Sequence, residues 1–337
     1  MKDLLNKGTA LYKKYSVFVL LAFVIIMALV PTVITKSYQM GVLCRILMYA
    51  TLAGSLNIIN GYSGQTCIGH AGFFCIGAYC EAILATKLGL PFWVILPIAG
   101  VVTAIFGGAI AMPTLKMKGT YLSIVTLGFS EIIRLVALNW EGLTGGPMGI
   151  KGIPVPKLLG VEFSKSRNYY YIFLIIAVLF VFVTNRVVRS RVGRAWTSIR
   201  EDELASKSLG VQTSVYKATN FMYGAFWAGI AGAAYAPYVR FIDSTMFTLD
   251  EGFSILSMVI IGGQGTLVGP IVGSVIVNLL QEVLRSAGQW RMVAYGMLII
   301  VMMWCRPQGL VGASDSILAG NSNRKKVEKK GKKEVSA

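Results

Sequence analysis

Apolar runs of membrane length occupy most of the chain and leave little room for any other kind of fold. Nine runs approach the roughly 20 residues that a helix needs to cross a bilayer: 15–35, 40–59, 68–86, 92–112, 119–140, 169–187, 215–239, 266–284 and 291–305. A tenth, 249–263, is shorter and begins with Asp250 and Glu251, so it either spans the membrane or re-enters it. The sequence therefore predicts an all-α fold, a polytopic transmembrane helix bundle of about ten spans (9–10).

The composition excludes the main alternatives. With 55% hydrophobic and 14% charged residues among 337, the chain is too apolar for a soluble globular domain of this length. Its five cysteines lie in or beside apolar runs without zinc-ligand spacing, and His70 is the only histidine. We read the cysteines as packing residues and expect this chain to bind no metal and no other cofactor.

Basic residues predict the orientation of the bundle. The net charge of +17 is concentrated near the N-terminus, between 186 and 217, and in the tail 324–337. Placing these regions in the cytoplasm follows the positive-inside rule, puts both termini inside and requires an even number of spans. The fit is imperfect, because the loop 141–168 would then carry four basic residues outside. The tail lacks interleaved aromatics, which favours an anchor beside anionic lipid and argues against nucleic-acid binding.

These features divide the chain into three parts. We predict a basic cytoplasmic N-terminus over 1–14, a transmembrane domain over 15–312 and a basic, disordered cytoplasmic tail over 313–337. The first apolar run ends in Pro31 and lacks a small-residue cleavage site, so we read it as an uncleaved span. A cytoplasmic loop of about 188–214 separates six predicted spans from about four.

That loop contains a polar segment, 193–210, with charges of both signs and a glycine at each end. We predict a helix of about three turns over 200–210, with an apolar edge able to enter a groove and charges around it. The edge comprises Leu204, Ser208 and Leu209, and the charges are Arg200, Glu201, Asp202, Glu203 and Lys207. The segment is either a docking surface for a soluble partner or a solvated connector.

Small residues recur in two patterns. Rows at four-residue spacing, 225–229–233 and 265–269–273, predict close helix packing, with a sliding helix as the alternative. The stretch 64–72 also resembles 263–273, and both open an apolar run. Duplicated halves with broken helices are common in transporters, so Gln65, Gly69 and Gln264 are possible helix-break or translocation-path positions.

Ionisable residues inside apolar runs are costly and are candidates for function. Glu131 and Arg134 share a helical face at a spacing that lets them pair, and Glu282 and Arg285 repeat that spacing. Either pair is structural or lines a polar pathway. Arg45 and Glu81 have no partner nearby in sequence. His70 is either a hydrogen-bonding residue at a helix start or a proton relay.

Catalytic motifs are missing from the sequence. There is no Gly-x4-Gly-Lys-Ser/Thr phosphate loop and no Gly-x-Ser-x-Gly elbow. We therefore expect no enzymatic activity, and an ATPase that drives transport must be another polypeptide.

Ordered motifs between about 46 and 312 resemble the permease subunits of ATP-binding-cassette (ABC) importers, most closely the LivM type of branched-chain amino acid uptake. The matching stretches are GYSGQ at 61–65, GHAGFF at 69–74, GAY at 77–79, KGTYLSIVTL at 118–127, EIIR at 131–134, NW at 139–140, LTGG at 143–146, GRA at 193–195, IREDE at 199–203, LG at 209–210, GGQGT at 262–266 and RPQGL at 306–310.

The resemblance implies a subunit of a heteromeric importer in the bacterial cytoplasmic (inner) membrane. Its partners would be a second homologous permease, two cytoplasmic ATPase subunits and an extracytoplasmic binding protein for leucine, isoleucine or valine. The ATPase-coupling loop would comprise Arg194, Arg200, Glu201, Asp202, Glu203, Leu204, Leu209 and Gly210. Glu203 and Gly210 match the acidic and glycine positions of the family, while Ser206 replaces a frequent alanine. Similar permeases serve urea and short amides, and an ion-coupled transporter using Glu81 and Glu131 is the rival class.

Overall fold

The computed structural model describes residues 36–115, 117, 119–158, 161–163 and 165–284, with isolated positions outside these ranges. Its helices are α1 (Ser37–Asn57), α2 (His70–Lys87), α3 (Phe92–Thr114), α4 (Thr120–Asn139), α5 (Glu141–Thr144), α6 (Ser166–Arg189), α7 (Arg191–Glu201), α8 (Glu203–Ser208), α9 (Thr213–Val239), α10 (Leu249–Gly262) and α11 (Gly269–Val283). The predicted segments 1–14 and 313–337, and most of the predicted spans 15–35 and 291–305, lie outside the described residues.

The predicted apolar runs inside the described ranges are helical. Four stretches are long and apolar enough to cross a membrane: Ser37–Tyr62, Phe92–Thr114, Thr120–Asn139 and Ser166–Arg189. α2 and α9 have the length but are less apolar, and α11 is a shorter apolar helix. The all-α class of a membrane helix bundle is thus confirmed. The number of ten spans and the side of the termini stay predictions.

α9 lies at the centre of the bundle and packs against α1, α2 and α3. The row of small residues 225–229–233 permits this close packing, as its four-residue spacing predicts. A Cβ atom at Gly77 of α2 would overlap the backbone of Gly229, and one at Gly229 would overlap Thr103 of α3. Close backbone approach replaces the hydrophobic drive that lipid cannot supply between helices.

A second group is the hairpin of α10 and α11, which packs against α1. A Cβ atom at Gly273 would overlap the carbonyl of Met258. The predicted row 265–269–273 is helical only at its last two positions, because Gly265 lies in the turn before α11. Arg45 of α1 pairs with Glu282 of α11 at 3.7 Å, which gives Arg45 the cross-helix partner that its neighbours in sequence could not supply. Arg285 lies outside the described residues.

Short strands lie at one end of the bundle. β1 (Ile150–Lys151) pairs antiparallel with β4 (Phe241–Ile242), and β2 (Lys157–Leu158) pairs antiparallel with β3 (Val161–Glu162). The β1–β4 pair joins the loop after α5 to the end of α9. α7 and α8 lie at the opposite end, where α6 finishes and α9 starts.

The contact between α2 and α9 yields a stability prediction. We expect Gly77→Ala to lower the free energy of unfolding by about 1–3 kcal/mol, because the added methyl group forces the two backbones apart. Gly142→Ala is the matched control, since a Cβ atom there meets nothing within 4 Å. Thermal unfolding in detergent measures both, and equal midpoints for the two variants would contradict the packing described.

Candidate functional site

The polar segment between α6 and α9 folds as two helices, so the predicted single helix over 200–210 is wrong. The backbone at Asp202 is extended (φ −156°, ψ 112°), which ends α7 and starts α8. Asp202 Oδ1 accepts hydrogen bonds from the amides of Leu204 (2.8 Å) and Ala205 (3.0 Å). Asp202 is therefore the N-cap of α8, a role that aspartate fills well because its side chain satisfies free amide groups.

α7 is anchored to the bundle by an aromatic side chain. Trp196 is buried, its Nε1 donates to the Tyr216 carbonyl at 2.9 Å, and its ring packs beside Tyr223 of α9. Ile199, three residues on, is buried on the same face. Sequence reasoning did not single out Trp196, although its spacing to Ile199 was the available signal. The loop is thereby fixed to the start of α9.

Arg200 lies between two segments that are not α-helical, which we call the interruptions. One is 58–69, between α1 and α2, and the other is 263–268, between α10 and α11. Arg200 Nη1 donates to the carbonyl of Gly61, in the π-helical turn Ile58–Tyr62 that ends α1. A Cβ atom at Gly265, in the turn before α11, would lie 2.6 Å from the same nitrogen, and one at Gly64 would lie 3.1 Å from Arg200 Cγ. Arg200 is exposed overall, yet its side chain runs along Gly64 and its guanidinium group joins the loop segment to both interruptions.

Two asparagines near the end of α1 hold these interruptions in place. Asn57 donates to the Thr266 carbonyl (2.7 Å) and accepts from the Gly265 amide (2.9 Å). Asn60 donates to the Cys67 carbonyl (3.1 Å) and accepts from the Cys67 amide (2.9 Å). The two stretches that resemble each other in sequence therefore have the same setting: an asparagine side chain binds each of them, one from α1 and one from the π-helical turn, and each leads into a helix.

Gln65 belongs to this network and Gln264 does not. Gln65 is buried, and its Nε2 donates to Ser63 Oγ (2.7 Å) and, at 3.4 Å, to the Lys217 carbonyl and Asn220 Oδ1. Asn220 in turn donates to the Ile58 carbonyl at 3.0 Å. Gln264 is exposed. These contacts connect the π-helical turn to α9.

Gly69, which directly precedes α2, lies against α4. A Cβ atom at Gly69 would overlap the Thr126 carbonyl. Beside it, the Ile68 amide donates to Thr126 Oγ1 at 3.2 Å. Glycine is required at this position because the two backbones touch.

Glu203 forms an ion pair with α9. Lys217 Nζ lies 2.6 Å from Glu203 Oε1, and the side chains are 7% and 22% exposed, respectively. The buried lysine needs this carboxylate, because an isolated ammonium group removed from water is strongly disfavoured. The pair gives α8 its own attachment to α9, independent of Trp196.

The outward surface of the same segment is apolar at two points. Leu204 and Leu209 are 72% and 83% exposed, and the polar residues around them, Arg194, Glu201, Lys207 and Ser208, are exposed as well. A depression of about 510 Å³ beside Leu209 runs between Arg191, Arg194 and Gln212. Gly210 ends the segment with a φ of +84°, which favours glycine. We call residues 191–212 the loop surface.

The remaining predicted site residues lie elsewhere. His70 begins α2 and is buried, with its Nε2 2.7 Å from Ser55 Oγ, a position that fits the hydrogen-bonding reading. Glu131 and Arg134 pair with each other on α4, as their spacing predicts, with Arg134 Nε 3.0 Å from both carboxylate oxygens. Neither His70 nor the Glu131–Arg134 pair contacts the loop surface. Among the described residues, no group of three or more His, Cys, Asp or Glu side chains is arranged to hold a metal ion.

Comparison with known proteins gives consistent matches over most of the chain. Residues 38–303 match the family described as branched-chain amino acid transport system / permease component. The chain is 36% identical over 332 residues to the high-affinity branched-chain amino acid transport system permease protein LivM of Salmonella typhimurium, covering 92% of this chain and 78% of that protein. It is 38% identical over 288 residues to LivM of Escherichia coli K12, covering 79% and 68%.

A more distant match is the LivH permease of Escherichia coli K12, described as belonging to the same high-affinity branched-chain amino acid transport system. It is 24% identical over 289 residues, which cover 78% of this chain and 91% of that protein. No solved structure is significantly similar to the chain.

The Glu203–Lys217 pair yields a prediction in which loss of either partner has a different effect on stability. We expect Glu203→Met to lower the free energy of unfolding by about 2–3 kcal/mol, since it leaves a buried ammonium group unpaired. Lys217→Met leaves the Glu203 carboxylate unpaired. Because this side chain is the more exposed of the two, the loss in free energy of unfolding is smaller. The double variant recovers part of the loss, because no unpaired charge remains. Unfolding in detergent measures all three, and strict additivity would contradict a direct pair.

Proposed function

The chain belongs to the permease component family of branched-chain amino acid transport systems, of the LivM type, and we propose that it couples ATP hydrolysis on partner subunits to the import of leucine, isoleucine or valine. The observation that carries the proposal is the loop surface. Its outward side offers exposed Leu204 and Leu209, while its inward side is tied through Arg200 and Glu203 to the helices of the bundle.

The proposed assembly has four kinds of component besides the lipid bilayer. This chain pairs with a second, homologous permease of the kind represented by LivH. Two cytoplasmic ATPase subunits bind the loop surface and its counterpart, and a binding protein delivers substrate from outside. ATP binds only to the ATPase subunits, because this sequence has no phosphate loop. We propose that the chain itself is not an enzyme, binds no cofactor and does not bind nucleic acid.

The contacts suggest how movement would pass from the ATPase to the bundle. Closure of the ATPase subunits displaces the loop surface as a unit, because Trp196 and the Glu203–Lys217 pair fix it to α9. Arg200 carries the same displacement to the π-helical turn after α1 and to the turn before α11. π-helical turns are local irregularities of a helix and often occur at functional sites.

The topology belongs to the same proposal. The loop surface lies in the cytoplasm, and ten spans in a bacterial inner membrane put residues 1–14 and 313–337 on that side too, as the positive-inside rule requires. Gln65, Gly69, His70 and Gln264 then lie toward the inner half of the bundle. Glu131 and Arg134 lie toward the outer half of α4.

Reconstitution into liposomes tests the function. The chain together with its partner permease, ATPase and loaded binding protein is expected to accumulate leucine only when ATP is present. The chain alone is expected to be inactive. Ion-gradient-driven uptake by the chain alone would replace the proposal with an ion-coupled transporter, and ATP-driven uptake of urea or a short amide instead of leucine would correct the substrate.

The docking side is tested by co-purification of the ATPase. The double variant Leu204→Arg/Leu209→Arg is expected to lose it, while Leu88→Arg, at an exposed leucine after α2, keeps it.

Arg200 yields a prediction about coupling. Arg200→Ala is expected to leave the complex assembled and hydrolysing ATP, but to reduce leucine transported per ATP at least fivefold, because the loop no longer moves the two interruptions. Arg194→Ala is the matched control on the same helix, since among the described residues Arg194 donates to the Arg189 carbonyl at the end of α6 and to neither interruption. Equal leucine-to-ATP ratios for the two variants would contradict coupling through Arg200.

A further inference from the structure

Helix α4 combines two features that conflict in a lipid-facing helix. It is the least buried of the four candidate spans and exposes a broad apolar face: Tyr121, Ile124, Ile132, Leu135 and Val136. Yet the same helix carries the Glu131–Arg134 ion pair, whose side chains are 32% and 21% exposed, respectively. Charged side chains at membrane depth are costly, so they face protein or a polar pathway rather than hydrocarbon.

The pair lies well inside the helix. At about 1.5 Å per residue, Glu131 is roughly 12 Å and Arg134 roughly 8 Å from the Asn139 end. In the proposed topology this is the outer half of the span, where a substrate released by an external binding protein arrives first.

Among the described residues, the pair links α4 to no other element. Both residues belong to α4, so their ion pair joins no two elements, unlike Arg45–Glu282, which joins α1 to α11. The packing of α4 on α2 uses other residues: Gly72 of α2 lies against the backbone of Ser130. In a helix in water, a pair at this spacing adds only a few tenths of a kcal/mol.

The pair also has unused hydrogen-bonding capacity. Arg134 uses Nε and Nη2 toward Glu131, and the described residues provide no bond to Nη1. A guanidinium group has five N–H donors and a carboxylate about four acceptor sites, so both groups can bind a further partner without separating. The arrangement therefore presents an adjacent cation and anion with free donors and acceptors.

We propose that α4 lines the translocation path and that the Glu131–Arg134 pair is a transient binding site for a zwitterionic amino acid. This inference rests on the proposed function. The substrate carboxylate binds the guanidinium group of Arg134, whose planar donors match a carboxylate, and the substrate ammonium binds Glu131. Because each charge keeps its partner within the helix, the site binds weakly enough to release its substrate. The neighbouring apolar residues contact the aliphatic side chain.

The experiment uses the reconstituted complex and measures leucine uptake, ATP hydrolysis stimulated by the binding protein, and co-purification of subunits. Glu131→Gln and Arg134→Gln are each expected to lower leucine transported per ATP at least tenfold, with assembly and stimulated hydrolysis retained. The matched control is the double variant Arg45→Gln/Glu282→Gln, which removes the ion pair between α1 and α11 and is expected to keep the wild-type ratio.

The charge-swapped variant Glu131→Arg/Arg134→Glu separates binding from structure. It keeps the ion pair but reverses the order of the charges along the path, so it is expected to assemble and remain defective. Restored uptake in the swap, or failure of both single variants and the swap to assemble, would make the pair structural and overturn the inference. Wild-type ratios in the single variants would overturn it too. A wild-type complex that transports no amino acid would instead refute the proposed function.

Discussion

The structure depends on satisfying backbone groups where membrane helices are interrupted. A buried amide or carbonyl group without a partner costs free energy comparable to a lost hydrogen bond, so a loop packed between helices must be bonded by its neighbours. Asn57 and Asn60, at the end of α1, each bind one interruption through both the donor and the acceptor of their side-chain amide. This arrangement permits α2 and α11 to begin within the bundle, and it creates the site where Arg200 enters.

The sequence predicted the features that depend on residues close together in the chain. Within the described residues, the apolar runs located the long helices to within a few residues, since lipid leaves the backbone few alternatives, and the spacing of Glu131 and Arg134 predicted their pair. The break at Asp202 was missed, because aspartate serves either as a helix residue or as a cap and the choice depends on the surrounding chain. The hydrogen bond from Arg200 to the Gly61 carbonyl was not predictable either, since the two residues are 139 positions apart.

The loop surface and the Glu131–Arg134 pair of α4 lie apart in the structure and differ in chemical character. The loop surface carries exposed leucines on a segment anchored by Trp196 and Lys217, which suits binding to a soluble protein. The ion pair lies on a poorly buried span, which suits contact with a polar solute. Both features lie within residues 38–303, the part of the chain that matches the permease component family.

The length of α9 gives the two ends of the bundle a mechanical relation. Its 27 residues extend roughly 40 Å, from the Trp196 and Lys217 contacts near its start to β4 just beyond its end. β4 is bonded to β1, in the loop that follows α4 and α5. α9 thus reaches from the loop surface to the chain segment that follows α4 and α5 and contains β1. A tilt of only a few degrees about its glycine contacts would move that segment by an ångström or more, without any helix changing its internal structure.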